Sequence, residues 1–363
     1  MRVLVAMSGG VDSSVAAAVL AESGCEVIGA TLQLQACDDA AFGRTCCNAA
    51  GPALAGRVAG VLGIPHYVLD CRRQFRDEVL RYSWREYARG RTPNPCVICN
   101  EKIKFGFLLE KARALGAVRI ATGHYVRLVR EAGHGLLLKR GRDQGKDQSY
   151  FLFSLDDGQL DAALFPVGGF TKAEVRERAR QLGLPNADQR ESQDACFLAA
   201  GEPYAEILRQ RLHGEARPGE VVDGEGRVLG RHEGFHRFTI GQRRGLGIAL
   251  GQPAWVRTIE PEKARVVLCL DQRELLAQGL IATGVTWRHC WGGSRPILCS
   301  VQVRYRHQAV PAMIEEIGAG RVRVVFGESV RAVTPGQAAV FYDGDTLKGG
   351  GWIERAFYGQ GGI

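Results

Sequence analysis

The sequence predicts an α/β protein with an N-terminal parallel, doubly wound sheet, a small central domain and a C-terminal β-barrel-like domain. Three observations predict this. Over the first 125 residues, short apolar runs alternate with helical patterns, as in a parallel sheet covered on both faces. A glycine-rich turn, Ser8-Gly9-Gly10, joins the first apolar run to the first helix. From about Gly214 glycine becomes frequent and short alternating segments take over.

The elements follow in order. Arg2–Met7 reads as a buried strand, Ser14–Glu22 as a helix stopped by Gly24, and Val27–Leu32 as the second strand. Pro52–Leu62 is helical, His66–Cys71 is a third strand, and Phe75–Ala88 and Asn100–Leu115 are helices. Val118–Thr122 is the next strand. Thr171–Leu182 is a helix with a capping box from Thr171 to Glu174 and a stop at Gly183. Val301–Tyr305, Ala312–Ile317, Arg321–Phe326 and Ala338–Tyr342 read as strands. The expected domains are 1–204, 205–275 and 276–363.

Composition narrows the class. The 363 residues are 45% hydrophobic and 24% charged, as in ordinary globular proteins. No apolar run approaches the 18 or so residues that span a membrane, and the N-terminus does not read as a leader, so a cytoplasmic protein is expected. The net charge of +8 suits a polyanionic partner. Eleven cysteines, an odd number, argue against a disulfide framework.

The strongest motif is Ser8-Gly9-Gly10-Val11-Asp12-Ser13-Ser14. Two glycines let main-chain N–H groups approach an anion, and the following helix start favours negative charge. The Gly-Lys-Ser/Thr ending of a Walker A loop is missing. The loop resembles the PP-loop of adenine-nucleotide α-hydrolases, which implies cleavage of ATP to AMP and pyrophosphate. Asp12 would repel phosphate by itself, so it is expected to act through Mg²⁺. In such sheets ligands sit beyond the strands' C-terminal ends, where Leu32 and Gly123 fall.

Two cysteine segments carry the remaining chemistry. Arg91-Thr92-Pro93-Asn94-Pro95-Cys96-Val97-Ile98-Cys99-Asn100 is stiffened by two prolines. Cys99 is expected just ahead of a helix, with Lys102 and Lys104 nearby, a setting that favours thiolate. Cys196 lies in Glu191–Leu198 (ESQDACFL). Two loop cysteines can serve as persulfide carrier and resolving thiol. A four-iron four-sulfur (4Fe-4S) cluster on Cys96, Cys99 and Cys196 is the alternative that residue type leaves open. A resident metal site is otherwise not expected.

With these residues in view, the chain resembles the tRNA-specific 2-thiouridylase family over nearly its whole length. The resemblance rests on the loop Ser8–Ser14, RTPNPCVICNEKIKF (Arg91–Phe105), ATGHYV (Ala121–Val126) and KDQSYF (Lys146–Phe151). It continues in ESQDACFL, TIGQRRGLGI (Thr239–Ile248), VRYR (Val303–Arg306), VTPGQAAVFY (Val333–Tyr342) and Asn48 after Cys46-Cys47. The resemblance implies adenylation of C2 of a wobble uridine, then sulfur delivery from a persulfide on Cys196. Cys99 would be the catalytic nucleophile and a Cys99–Cys196 disulfide would form on release. The ATP site would comprise Ala6, Met7, Ser8, Gly9, Gly10, Val11, Asp12 and Ser13 with Leu32 and Gly123. Asn94, Pro95 and Cys96 would meet the target base. His124, Lys146, Asp147, Gln148, Arg304, Tyr305 and Gln337 would meet the RNA. The implied partners are the anticodon arms of transfer RNAs for Lys, Glu and Gln, and a sulfur-relay protein or cysteine desulfurase. Another PP-loop tRNA-modifying ligase, or a tRNA-binding protein without catalysis, would need no paired cysteines. Cys25, Cys71, Cys269, Cys290 and Cys299 read as core or inert, and His134 and His289 as surface or satisfied.

Overall fold

In the computed structural model, β1 (Arg2–Ala6) is the centre of a five-stranded, all-parallel sheet. The structure describes residues 1–34, 50–133, 135–189, 203–288 and 296–358. The chain divides into two compact units: Met1–Val79 with Cys96–Gly201 and Asp345–Leu347, and Leu80–Pro95 with Glu202–Gly344 and Lys348–Ile363.

In the first unit α1 (Val11–Glu22) leads from β1 to β2 (Glu26–Gln33), and α2 (Ala50–Leu62) precedes β3 (His66–Asp70). The short α3 (Arg72–Gln74) and a π-helical turn, Phe75–Leu80, follow; α4 (Arg81–Ala88) belongs to the second unit. A helical run then comprises α5 (Pro95–Ile98), a π-helical stretch (Cys99–Phe107) and α6 (Leu108–Ala114). β4 (Arg119–Ala121) returns to the sheet, and the hairpin β5 (Val126–Glu131) and β6 (Gly135–Arg140) follows. After it come α7 (Asp157–Ala162), β7 (Ala163–Leu164) and α8 (Lys172–Gln181). The strand order is β3-β2-β1-β4-β7. The chain winds outward from β1 one way and returns on its other side at β4. That reversal opens a crevice beyond the C-terminal ends of β1 and β4, the usual ligand position in such sheets. Val3, Val5, Val15, Ala16, Val58, Val167 and Val175 are buried together, so sheet and helices share one core.

The second unit also contains α9 (Tyr204–Arg211) and a four-stranded sheet in the order β10-β11-β8-β9. Its strands are β8 (Gly219–Val222), β9 (Val228–His232), β10 (Trp255–Glu260) and β11 (Arg265–Cys269), around buried Val221, Phe235, Val256 and Leu268. β12 (Leu276–Trp287), β13 (Ile297–Gln302), β14 (Val310–Gly318), β15 (Arg321–Arg331), β16 (Ala338–Asp343) and β17 (Thr346–Phe357) run in the order β12-β15-β14-β13-β16-β17. β12 also pairs with β17, which closes these six strands into an antiparallel barrel. Its interior holds Leu280, Val301, Ile314, Val324, Phe341 and Ile353. The α/β fold class read from the sequence is the one observed. Among the described residues no helix is long and apolar enough to cross a membrane.

Two local expectations change. The helix placed at Asn100 begins at Pro95 instead. Proline suits a first helical position because its fixed φ matches and its missing N–H is no loss there. Cys99 therefore lies inside the helical run, not ahead of it. Arg304 and Tyr305 are in a turn after β13, which ends at Gln302. Arg306 has φ of 61°, a left-handed conformation incompatible with a continuing strand.

Candidate active site

The glycine-rich loop occupies the crevice end of β1. Gly9 has φ of 82°, and a Cβ there would fall 2.7 Å from the carbonyl oxygen of Gly51, so the position requires glycine. Gly10 is the N-cap of α1 and offers no side chain to the first turn. The first-turn N–H groups of a helix have no intrahelical acceptor, so this helix start is available to an anion.

Side chains brace the loop from behind. The Ser13 and Ser14 hydroxyls each donate to the Gly10 carbonyl at 3.0 Å, and the Ser8 amide donates to Ser13 Oγ at 3.2 Å. Asn186, buried, donates from Nδ2 to the Gly9 carbonyl at 2.8 Å and to Ser14 Oγ at 2.9 Å. Gly123 packs against the same backbone: a Cβ on it would lie 2.7 Å from the Ser13 amide nitrogen.

Asp12 does not cap the helix. Lys172 Nζ donates to both its oxygens, at 2.6 and 2.8 Å, and Tyr125 donates its phenolic O–H to Oδ1 at 2.6 Å. Lys172 is only 12% exposed at its side chain, whereas Asp12 keeps 33%. A largely enclosed cation thus lies beside a partly open carboxylate at the start of α1. The sequence reading missed Lys172, Tyr125 and Asn186. A signal for Lys172 existed: it is the first residue after the Thr171 cap, where the helix dipole disfavours a cation.

The cysteine helix is tied to the KDQSYF segment. Asn100 Nδ2 donates to the Phe151 carbonyl at 3.1 Å, and Asn100 is buried. Cys99 is 4% exposed and Cys96 is half-buried. Lys102, expected to favour the Cys99 thiolate, pairs with Glu101 at 2.7 Å. Burial pushes the Cys71 thiol up to about 12, with the neighbouring Cys99 and Asp70 adding to the effect. Cys71 is thus an inert thiol near Cys99. Cys299 is likewise pushed to about 12 by burial, and Cys269 is raised. Cys196, its ESQDACFL segment and the Cys99–Cys196 pairing lie outside the described residues, as do Cys46, Cys47, Asn48, Cys290, His134 and His289.

The residues expected to meet RNA divide into two kinds. Asp147 is buried and takes Arg140 Nη1 at 2.7 Å, the Ser149 hydroxyl at 2.9 Å and the Gly141 and Ser149 amides. Gln148 Oε1 accepts the Tyr125 amide at 3.1 Å. Both support the Tyr125 region from inside, while Lys146 is half-buried. His124 is buried beside Phe105 and Phe165, and its Nδ1 meets Thr122 Oγ1 at 2.7 Å. Burial, reinforced by Lys104, holds its pKa well below the usual histidine value, so it is neutral and cannot act as a phosphate-binding cation. In the second unit Gln337 Nε2 donates to the carbonyls of Thr92 and Pro93, at 3.1 and 2.8 Å, and so holds the backbone just before Asn94 and Pro95. Leu32 is half-exposed at the crevice end of β2, and Ala6 and Met7 lead into the loop.

A parallel sheet with a Walker-less phosphate loop at its point of reversal defines a HUP-domain protein of the PP-loop class. Family profiles agree: "tRNA methyl transferase HUP domain" matches residues 1–200, its "PRC-barrel domain" 206–270, and "Aminomethyltransferase beta-barrel domain" 277–353. Curated relatives called tRNA-specific 2-thiouridylase MnmA match almost end to end. Those of Geobacter metallireducens and Carboxydothermus hydrogenoformans are each 47% identical over 98% of this chain and 97% and 98% of theirs. That of Moorella thermoacetica is 47% identical over 97% of this chain and 99% of its own. The chain belongs to the tRNA-specific 2-thiouridylase (MnmA) family.

Proposed function

We propose that the protein is an ATP-dependent tRNA-uridine 2-sulfurtransferase acting on the wobble uridine of tRNAs for Lys, Glu and Gln. The carrying observation is the braced loop Ser8–Ser14 with Asp12 held by Lys172 and Tyr125, at the switch point of a sheet in a family member. The loop's N–H groups receive the triphosphate, and Lys172 supplies positive charge where negative charge gathers during adenylation. One partly exposed carboxylate fits Mg²⁺, which usually takes few protein ligands and completes its shell with phosphates and water. Asp12 would hold the ion, which would offset triphosphate charge.

The reaction runs in three displacements. The uridine C2 oxygen attacks the α-phosphorus of ATP and expels pyrophosphate, which makes C2–O a good leaving group. The terminal sulfur of a Cys196 persulfide then attacks C2 and AMP departs. The Cys99 thiolate attacks the Cys196 sulfur, breaking the S–S bond and leaving sulfur on the base. The resulting Cys99–Cys196 disulfide must be reduced, and a relay protein or cysteine desulfurase must reload Cys196. An anticodon loop suits this chemistry because an unpaired base leaves its stack at low cost.

The test is nucleoside mass spectrometry of unmodified tRNA incubated with protein, Mg²⁺-ATP and a sulfur donor, using aerobic and anaerobically iron-reconstituted samples. ATP-dependent 2-thiouridine from aerobic, iron-free protein, lost in Cys99→Ser and Cys196→Ser, is expected. Product from iron-loaded protein alone would transfer the chemistry to a cluster, and no thiolated nucleoside under either condition would end the proposal.

A further inference from the structure

We propose that Arg243, Arg244, Arg306 and Arg331 form, around Arg304, a basic track on the second unit that receives the sugar-phosphate backbone of the tRNA. The inference rests on the tRNA-thiolating function above and adds a contact surface that includes the central domain.

Three chain segments converge to build the track. The turn Thr239–Arg244 is hung on β10 by two backbone bonds, from the Gly241 amide to the Val256 carbonyl at 2.7 Å and from the Val256 amide to the Gln242 carbonyl at 2.9 Å. Gln242 cross-braces it, accepting the Thr239 amide at 2.9 Å and donating to the Arg244 carbonyl at 3.0 Å. Gly241 has φ of 83°, and a Cβ on it would fall 2.7 Å from the Cβ of Ala332, so this turn lies against the end of β15. The second segment, Arg304–Arg306, joins the same place: Arg304 Nη1 donates to the Arg331 carbonyl at 2.9 Å. Arg331, the third, precedes Ala332 directly.

Four of the charges gathered there have no acidic partner among the described residues. Arg243, Arg244, Arg306 and Arg331 are all exposed, and none reaches a carboxylate among the described residues. Elsewhere exposed arginines are commonly paired, as Arg2 is with Glu26, Arg180 with Asp188 and Arg273 with Asp271. Aromatic rings steady two of the four without neutralising them. The Arg243 guanidinium lies 5.9 Å from the Trp255 ring and that of Arg306 lies 5.5 Å from the Tyr305 ring. Like charges collected on braced turns without acids repel one another unless an anionic partner covers them. Contacts of this kind go to phosphates, so they position the RNA without reading its sequence.

The test measures equilibrium binding of unmodified full-length tRNA across a salt series, for wild type, R243Q/R244Q and R306Q/R331Q. Each double variant is expected to weaken binding at least about tenfold at low salt. Each should also flatten the slope of log affinity against log salt by roughly 1.5, two phosphate contacts' worth, equally for substrate and non-substrate tRNA. The KM for tRNA should rise while the KM for ATP stays put. R243K/R244K keeps the charge and should keep the slope, which separates lost charge from a disturbed turn. Unchanged affinity and slope in the Gln variants, a loss confined to substrate tRNA, or equal loss in the Lys variant would each overturn the track. Wild-type 2-thiouridine formation on the same tRNA, measured in parallel, tests the underlying function separately.

Discussion

Asn186 offers the sharpest test of how the nucleotide loop is held. It is 2% exposed, and its Nδ2 is the side-chain donor to the Gly9 carbonyl, on a residue already at φ of 82°. Asn186→Ala removes that donor and the bond to Ser14 Oγ. Ser14 keeps its bond to the Gly10 carbonyl, so one acceptor, Gly9 O, is newly stranded. A stranded buried acceptor costs about 1–3 kcal/mol. Part of that is recovered, because Asn186 Oδ1 has no partner and the truncation removes it. A net loss of about 1–2 kcal/mol, felt as disorder of the loop, corresponds to roughly a 5–30-fold weaker ATP affinity. Asn186→Asp keeps the shape but turns an acceptor toward the Gly9 carbonyl, so its loss should be larger. Calorimetric titration with ATP measures both variants, with tRNA affinity and Tm as controls. ATP affinity within twofold of wild type alongside a lowered Tm would show that Asn186 serves packing alone, and the clamp argument would fail.

Four further outcomes follow from the same geometry. Lys172→Met leaves Asp12 uncompensated beside the triphosphate and should slow ATP-dependent AMP release by about 100-fold, read by a pyrophosphate assay; an unaltered rate would remove Lys172 from the chemistry. Gly123→Ala drives a Cβ to 2.7 Å from the Ser13 amide nitrogen and 2.8 Å from the Asp12 carbonyl carbon, so the loop must shift. A cost of about 1–3 kcal/mol in Tm or ATP affinity is expected, and a neutral variant would contradict the close packing. Cys71 and Cys299, both held near 12, should stay unalkylated by iodoacetamide at pH 8 in native protein, by peptide mass spectrometry, and Cys71→Ala should retain thiolation. His66, His124, His232, His236 and His307 all have lowered pKa values, with burial the leading cause in each. The unfolded chain then binds more protons than the folded one below about pH 6.5, so stability is full above that value and falls as pH drops through it. Tm measured from pH 7.5 to 5.5 should decline, and a flat profile would refute the neutral buried histidines.

Much of this protein is legible in one dimension. The alternation of apolar strands with capped helices fixed a parallel sheet, because both faces of such a sheet must be covered. Gly9 and Gly10 announced an anion-binding turn through backbone geometry alone, and Thr171 with Glu174 announced a helix start that the structure keeps, both bonds of the capping box being present. These are local properties, set by a residue and its near neighbours. The start of the cysteine helix at Pro95 and the turn at Arg304 were harder, since helix boundaries and strand ends depend on which distant backbone accepts the last hydrogen bonds. Only the tertiary structure brought Lys172 across 160 positions to Asp12, Tyr125 to the same carboxylate, and Asn186 across 177 positions to the Gly9 carbonyl. It also buried His124 and Asp147, for which the family resemblance implied contact with RNA. No periodicity encodes such meetings. They follow from strand order, which places the ends of β1 and β4 together, and from packing, which decides whether a polar side chain faces water or is spent inside.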